Sequence, residues 1–365
     1  MVKKILILTA GFGEGHNSAA RGIRSGLARI AGDGVRVEVH DIFADTYGLA
    51  NDCAREAYLA FINNLPRAWS RVYAWLDRQE KFGGKLNVFF TAKDRFRRLL
   101  DRFEPDVIVS VYPAYSHLLD DMFGPGGPGK RVVIITDSLS VNAIWYRCSA
   151  DYFVLPNDRS ATVLHEAGIA PERTRTFGFP VSPEFSENGV VRLEPSEIAG
   201  RRVLYLANAR KSAAPELAFQ LAAIDGIDLT VAVGRDRRLR NAIADIRQFA
   251  RRPFEIVGWS EELPRLLKRT HLLISKAGGA TVQEAMAANC PMIVNHVIPG
   301  QEEGNARFLV ETNAGAIATN PEAVIAAVEK AFANDAAVWR EWAGNTTGLS
   351  RPAASLDIAR FLLSL

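Results

Sequence analysis

Apolar residues along this chain fall in short runs separated by longer amphipathic stretches, and the alternation runs through twice. The first series predicts strands at Ile5–Thr9, Val35–Val39, Val107–Val111, Val132–Thr136 and Tyr152–Leu155, with a helix from about Ser18 to Ile30 and helices through residues 50–103. The second predicts strands at Val203–Leu206, Leu229–Val233, Phe254–Val257, Leu272–Ser275, Met292–Asn295 and Gly315–Ala318, with helices at Ala213–Ala223 and about Asp236–Ala250. Short continuous apolar strands punctuated by helices are the pattern of parallel sheets covered on both faces. The expected fold class is α/β, with two doubly wound Rossmann-like domains facing a cleft.

The length of 365 residues suits two domains better than one compact core. Residues 1–182 form the expected N-terminal domain and 200–350 the expected C-terminal one. The segment between them, 183–199, is the expected linker, because Pro180, Pro183 and Pro195 bar both helix and interior strand around it. Residues 351–365 end in an amphipathic pattern from Ser355 to Leu365.

Composition is that of a soluble globular protein, and a net charge of +3 conceals basic clusters at Arg67–Arg102 and Arg235–Arg252. Such clusters suit an acidic ligand or an anionic surface. Cys53, Cys148 and Cys290 are odd in number and lack metal-ligand spacing, which points to a reducing compartment. A strand follows directly on the N-terminus, and no apolar run approaches the ~20 residues of a membrane span. The expected location is cytoplasmic, or held peripherally to a membrane from that side.

Two loops carry candidate chemistry. In Lys276-Ala277-Gly278-Gly279-Ala280-Thr281-Val282-Gln283-Glu284 the glycine pair lies at a strand-to-helix turn, where backbone N–H groups and the positive helix end can cradle a diphosphate. Glu284, one turn into that helix, can accept hydrogen bonds from ribose hydroxyls, and Gln301, Glu302 and Asn305 follow the next strand. Their alternative is a plain surface helix. Near the N-terminus, Gly11, Gly13 and Gly15 space a sharp loop that ends in His16, a natural general base just before a helix capped by Asn17 or Ser18. The alternative there is a tight turn with a surface histidine.

These motifs resemble those of the two-domain glycosyltransferases, and within them the diacylglycerol glycosyltransferases, which include the monogalactosyldiacylglycerol synthases. The lipid-intermediate N-acetylglucosaminyltransferases of peptidoglycan synthesis are similar at greater distance. The resemblance spans nearly the whole chain. It implies an inverting transferase that moves a hexose from a UDP-sugar to a lipid hydroxyl, diacylglycerol above all, with no metal cofactor. No Asp-X-Asp pair stands at a strand end.

By this resemblance His16 is the base, with Asp137 orienting it or the acceptor, or else merely capping the turn after its strand. Gly13, Gly15, Trp69, Tyr73, Asn142 and Trp145 border the acceptor. The donor falls to Gly278, Gly279, Ala280, Thr281, Glu284, Gln301, Glu302 and Asn305, with Gly234 and Arg235 near a phosphate and Gly258 and Trp259 along the pyrimidine. The final helix would cross back to the N-terminal domain. Two departures stand out. Asn142 occupies a position where the family has histidine, and Ala207-Asn208-Ala209-Arg210-Lys211-Ser212 replaces a glycine-rich loop.

Residues 58–103 interleave Tyr58, Phe61, Trp69, Tyr73, Trp75, Phe82, Phe89, Phe90 and Phe96 with arginines and lysines. That mixture suits an anionic membrane surface, and no nucleic-acid motif accompanies it. The alternative is a helical core with a solvated charged face. Other acceptors, a nucleotide-sugar epimerase, or a catalytically silent nucleotide-sugar binder remain as alternative functions.

Overall fold

A computed structural model describes residues 2–12, 14–65, 68, 71–72, 90–137, 141–187, 200–209, 211–260, 262–298 and 302–365, excluding the side chains of 59, 60 and 62–64. By its internal contacts the chain divides into one unit of Met1–Pro183, Ile298–Gly304 and Ala353–Leu365 and a second of Glu184–Val297 and Asn305–Pro352.

In the first unit the elements run β1 (Lys3–Leu8), α1 (Glu14–Ala31), β2 (Val35–His40), α2 (Ile42–Tyr47), α3 (Leu49–Asn64), α4 (Phe90–Phe103), β3 (Val107–Ser110), α5 (Pro113–Phe123), β4 (Lys130–Ile134), β5 (Tyr152–Leu155), α6 (Asp158–Glu166) and β6 (Thr174–Thr176). The six strands are parallel in the order β2-β1-β3-β4-β5-β6. The chain leaves β1 for β2 on one side and returns to β3 on the other. The crevice at the carboxyl ends of β1 and β3 is therefore this sheet's switch point. Ile5 to Leu8 and Val107 to Val109 are fully buried, as strands covered on both faces require.

In the second unit β7 (Arg201–Leu206), α7 (Ala214–Ala222), β8 (Ile227–Ala232), α8 (Arg237–Arg247), β9 (Glu255–Val257), α9 (Leu263–Arg269), β10 (Leu272–Lys276), α10 (Gly279–Ala287), β11 (Met292–His296), α11 (Glu303–Glu311) and β12 (Gly315–Ile317) lead into α12 (Pro321–Leu349) and α13 (Ala354–Ser364). The strand order β12-β11-β10-β7-β8-β9 is again parallel, and its switch point lies between β7 and β10. The core is anchored by Trp339, 2% exposed, whose indole N–H donates to the His271 carbonyl at 2.6 Å. α12 is broken at Ala333–Ala336, where helical dihedrals lapse.

α13 belongs to the first unit and packs on α1. Two glycines make this approach possible. A Cβ at Gly26 would stand 2.4 Å from the Ser355 carbonyl oxygen, and one at Gly22 would stand 1.8 Å from that of Pro180. Phe361 of α13 meets Tyr152 edge-on at 5.1 Å, with the Arg175 guanidinium over both rings, and Lys3 Nζ donates to the Leu363 carbonyl.

The sequence pattern overlooked β6, whose Thr-Arg-Thr carries no apolar signal and is held by its ladder to β5 alone. Helix α1 begins at Glu14 rather than near Ser18. His16 thus lies inside the first turn, and neither Asn17 nor Ser18 is the cap. Asn17 Oδ1 instead accepts from the Thr9 hydroxyl at 2.9 Å, fastening the start of α1 to the end of β1. Of the expected 183–199 linker, residues 188–199 lie outside the described residues, while Phe185 is 1% exposed. Among the described residues no helix is long and apolar enough to cross a membrane.

Candidate active site

The loop after β1 is fixed by a half-buried carboxylate and a buried phenol. Asp41 accepts from the Gly11 N–H through Oδ2 at 2.8 Å and caps α2 by accepting from the Ala44 N–H through Oδ1 at 3.0 Å. The Tyr115 hydroxyl, buried below, donates to the Thr9 carbonyl at 2.8 Å and accepts from the Ile42 N–H at 3.0 Å. Burial, with Asp41 nearby, holds that phenol well above its ordinary pKa, so it stays a donor.

From this frame α1 carries His16 across the switch point to the end of β3. Its Nδ1 lies 2.8 Å from the Val111 carbonyl oxygen. A carbonyl only accepts, so Nδ1 holds the proton and Nε2 keeps its lone pair. The ring packs edge-on against Tyr112, centroids 5.1 Å apart, and lies 5.9 Å from Trp145. Burial drives the His16 pKa down to about 4 against the raising influence of the Val111 carbonyl. The positive end of α1 acts in the same direction as burial. At neutral pH His16 is a neutral imidazole with its basic nitrogen directed away from the anchoring carbonyl.

Asp137 does not hold the His16 imidazole. It accepts from the Trp145 indole N–H at 2.9 Å and reaches His16 through that ring. Asn142, 4% exposed, caps the turn Ala143–Trp145 by accepting from the Ile144 N–H at 3.1 Å. Asn142 thus helps to place Trp145. Gly15 faces open space, with nothing within 4 Å of an added Cβ. Gly13, Trp69 and Tyr73 lie outside the described residues.

In the second unit the switch point is spanned by a side chain that the sequence did not signal. Asn208, just past β7, donates from Nδ2 to Ser275 Oγ of β10 at 3.0 Å. A polar residue directly after a strand was its only mark. Two residues beyond Lys276, Gly278 adopts an extended conformation as the N-cap of α10, and no side chain caps the helix. The N–H groups of Gly279, Ala280 and Thr281 therefore form a first helical turn with no intrahelical acceptor. Glu284, half-buried, sits one turn further on.

Asn305 is buried and donates from Nδ2 to the Ala277 carbonyl at 3.1 Å, bracing the same turn. Glu302, 4% exposed, accepts from the Ile298 N–H at 3.2 Å. Gln301 lies outside the described residues. At the ends of β8 and β9 the Arg235 guanidinium stacks 4.2 Å above the ring of Trp259, which is half exposed, while Gly234 and Gly258 supply the backbone between them. Among the described residues no three His, Cys, Asp or Glu side chains converge as a metal cluster.

This geometry accompanies two family matches. The monogalactosyldiacylglycerol (MGDG) synthase family matches residues 16–181, and the glycosyltransferase family 28 C-terminal domain matches residues 206–341. Over its N-terminal part the chain is thus similar to the monogalactosyldiacylglycerol synthases, and over its C-terminal part to the family 28 glycosyltransferases. It is a glycosyltransferase. It is 25% identical over 382 residues to monogalactosyldiacylglycerol synthase 3, chloroplastic, of Arabidopsis thaliana, covering 98% of this chain and 80% of that one. To the processive diacylglycerol beta-glucosyltransferase of Bacillus subtilis (strain 168) it is 23% identical over 340 residues, covering 91% and 88%.

Among solved structures, Acinetobacter baumannii MurG superposes with a TM-score of 0.63 at 14% identity over 100% of both chains. The UDP-GlcNAc 2-epimerase from Neisseria meningitidis bound to UDP-GlcNAc superposes at 0.61 with 13% identity, over 99% of this chain and 100% of that one. These establish the two-sheet GT-B fold. Each sheet thus presents one prepared loop cluster at its switch point, His16 in one unit and the Gly278–Thr281 turn in the other.

Proposed function

We propose that this enzyme transfers a hexose from a UDP-sugar to the free hydroxyl of diacylglycerol, with inversion at the anomeric carbon. The acceptor oxygen attacks that carbon as His16 Nε2 takes its proton, and the bond to the UDP oxygen breaks with its electron pair leaving on the diphosphate. The Gly278, Gly279, Ala280 and Thr281 turn receives the departing charge. Glu284 fixes the ribose, Gly258 and Trp259 border the pyrimidine, and Gly234 with Arg235 lies toward the phosphates. Asp137 acts as a positioning residue through Trp145.

The observation that carries this reading is the Val111 carbonyl at 2.8 Å from His16 Nδ1, which leaves Nε2 as the free base. The family names supply diacylglycerol as acceptor. The aromatic and basic residues of 58–103 suit an anionic bilayer, with the enzyme bound peripherally to its cytoplasmic face. Phe90 is 74% exposed, and Arg97 and Arg98 of the same helix are exposed too, whereas Phe96 is core; Trp75, Phe82 and Phe89 lie outside the described residues.

The test is incubation of the purified protein with a panel of UDP-sugars and vesicles containing diacylglycerol, with UDP release followed beside mass spectra of the lipids. A glycolipid formed with one donor, and lost in His16→Ala while UDP binding persists, is the expected outcome. UDP-sugar binding without any lipid product would overturn the acceptor assignment.

A further inference from the structure

A cavity of about 260 Å³ opens in the first unit beside the His16 site. Phe12, Phe43, Ala54 and the rings of Tyr47 and Tyr112 give it a largely apolar lining, to which Asn51 adds an amide. It adjoins the base through shared rings. Tyr112 packs on His16, and Phe12, from the loop that precedes α1, stacks on Tyr112 with centroids 6.1 Å apart. An acceptor whose hydroxyl sits at His16 Nε2 has this cavity one aromatic ring away.

Asn51 sets the cavity apart from an ordinary packing defect. It is 6% exposed, and its amide makes no hydrogen bond among the described residues. Its amide atoms are not sealed from solvent, and Asn51 lines the cavity, so the amide can meet a ligand there. The amide is a donor set into a hydrocarbon wall. Its complement is a weak acceptor carried on a hydrocarbon chain, which describes the carbonyl of a carboxylic ester.

The geometry points to this cavity as the seat of one ester-linked acyl chain of the acceptor, with Asn51 Nδ2 donating to the ester carbonyl and the rings of Phe12, Phe43 and Tyr112 covering the first methylenes. The inference rests on the lipid-acceptor reading above and adds a selection within it. An acylglycerol offers Asn51 an acceptor, whereas an ether-linked lipid of equal length and a hydroxyl lipid without an ester displace water from the amide without replacing its hydrogen bond. Ala54 is exposed and lines the cavity, so its small side chain stands where a chain would enter from solvent.

The experiment compares dioleoylglycerol with its dioleyl ether at equal mole fraction in mixed micelles, using the intact enzyme and the UDP-sugar it accepts. One hydrogen bond from a buried amide predicts a kcat/KM about five- to tenfold higher for the ester. Asn51→Leu should bring that ratio to about one, chiefly by lowering the rate with the ester. Ala54→Phe, at a solvent-facing position of α3 that leaves Asn51 in place, should narrow the mouth and favour short-chain over long-chain diacylglycerols. Equal use of ester and ether by the wild type, or a preference that survives Asn51→Leu, would overturn the assignment of Asn51 while leaving diacylglycerol as acceptor. A chain-length profile unmoved by Ala54→Phe would remove the chain from this cavity. Transfer to neither lipid would instead overturn the acceptor reading on which the inference stands.

Discussion

The protonation state of His16 makes a prediction sharp enough to refute the mechanism. Its pKa is pushed down to about 4 from 6.5, because burial beside Tyr112 and Trp145 penalises the imidazolium more than the Val111 carbonyl favours it. The sign follows directly. The group is a base only when unprotonated, so lowering its pKa widens the pH range over which the enzyme works, toward acid. At pH 5.5 a base with a pKa of about 4 is roughly 97% unprotonated, whereas one at 6.5 is roughly 9% unprotonated.

The two cases differ about tenfold in kcat/KM at that pH, which reports the free enzyme. The assay is initial UDP release with diacylglycerol in mixed micelles from pH 4.5 to 8, with each sample returned to pH 7.5 to verify that activity recovers. The expected profile is flat down to about pH 5.5, and His16→Ala should lower kcat by about 10²–10⁴-fold across it. A limb centred near 6.5, or a His16→Ala variant within tenfold of wild type, would remove His16 as the base. The same shift bears on stability. Below pH 6.5 the unfolded chain gains a proton at this residue that the folded one refuses, so stability falls from there down to about pH 4, by at most about 3 kcal/mol.

Four further outcomes follow from the geometry already described. Trp145→Phe keeps the ring beside His16 but removes one hydrogen bond from Asp137, and should cost about 1–3 kcal/mol in denaturant melts together with a fall in kcat at unchanged UDP affinity. Asn208→Ala detaches the end of β7 from Ser275, and calorimetry should show UDP binding weakened about three- to tenfold with the melting temperature nearly unchanged. Among the glycines of α1, Gly26→Ala drives a methyl into the Ser355 backbone and should cost about 1–3 kcal/mol and expose the C-terminal helix to proteases. Gly15→Ala, which meets open space in the first turn, should fold at least as stably as the wild type, and a Gly15→Ala protein that melts earlier would contradict the described loop.

The two sheets were legible because strands covered on both faces must be continuously apolar, as Ile5–Leu8 and Leu272–Ile274 are. The edge strand Thr174–Thr176 was illegible for the converse reason, since its pairing with β5 is made by backbone and not by side-chain hydropathy. The glycine loop and His16 could be read, but the start of α1 could not. Gly15, His16 and Asn17 have no strong helical preference, and the contact of Asn17 with Thr9 that settles them is a tertiary one. Val111 and Tyr112 were passed over because one acts through its carbonyl and the other through a ring that looks like any core aromatic. Asn208 and the Asn51 cavity were hidden alike. Each depends on segments distant in sequence that the strand order brings together.

The partner that sets the His16 tautomer is a main-chain carbonyl at the end of a strand. Every non-terminal amino acid supplies that oxygen, so no point substitution at Val111 deletes it. The base is thereby insulated from mutational drift in a way that a carboxylate-held histidine is not, since a single base change can neutralise an aspartate. The vulnerability moves elsewhere. A slip of one residue between β1 and β3 would present a different carbonyl at a different height, so the chemistry of the site is inherited from the alignment of two strands.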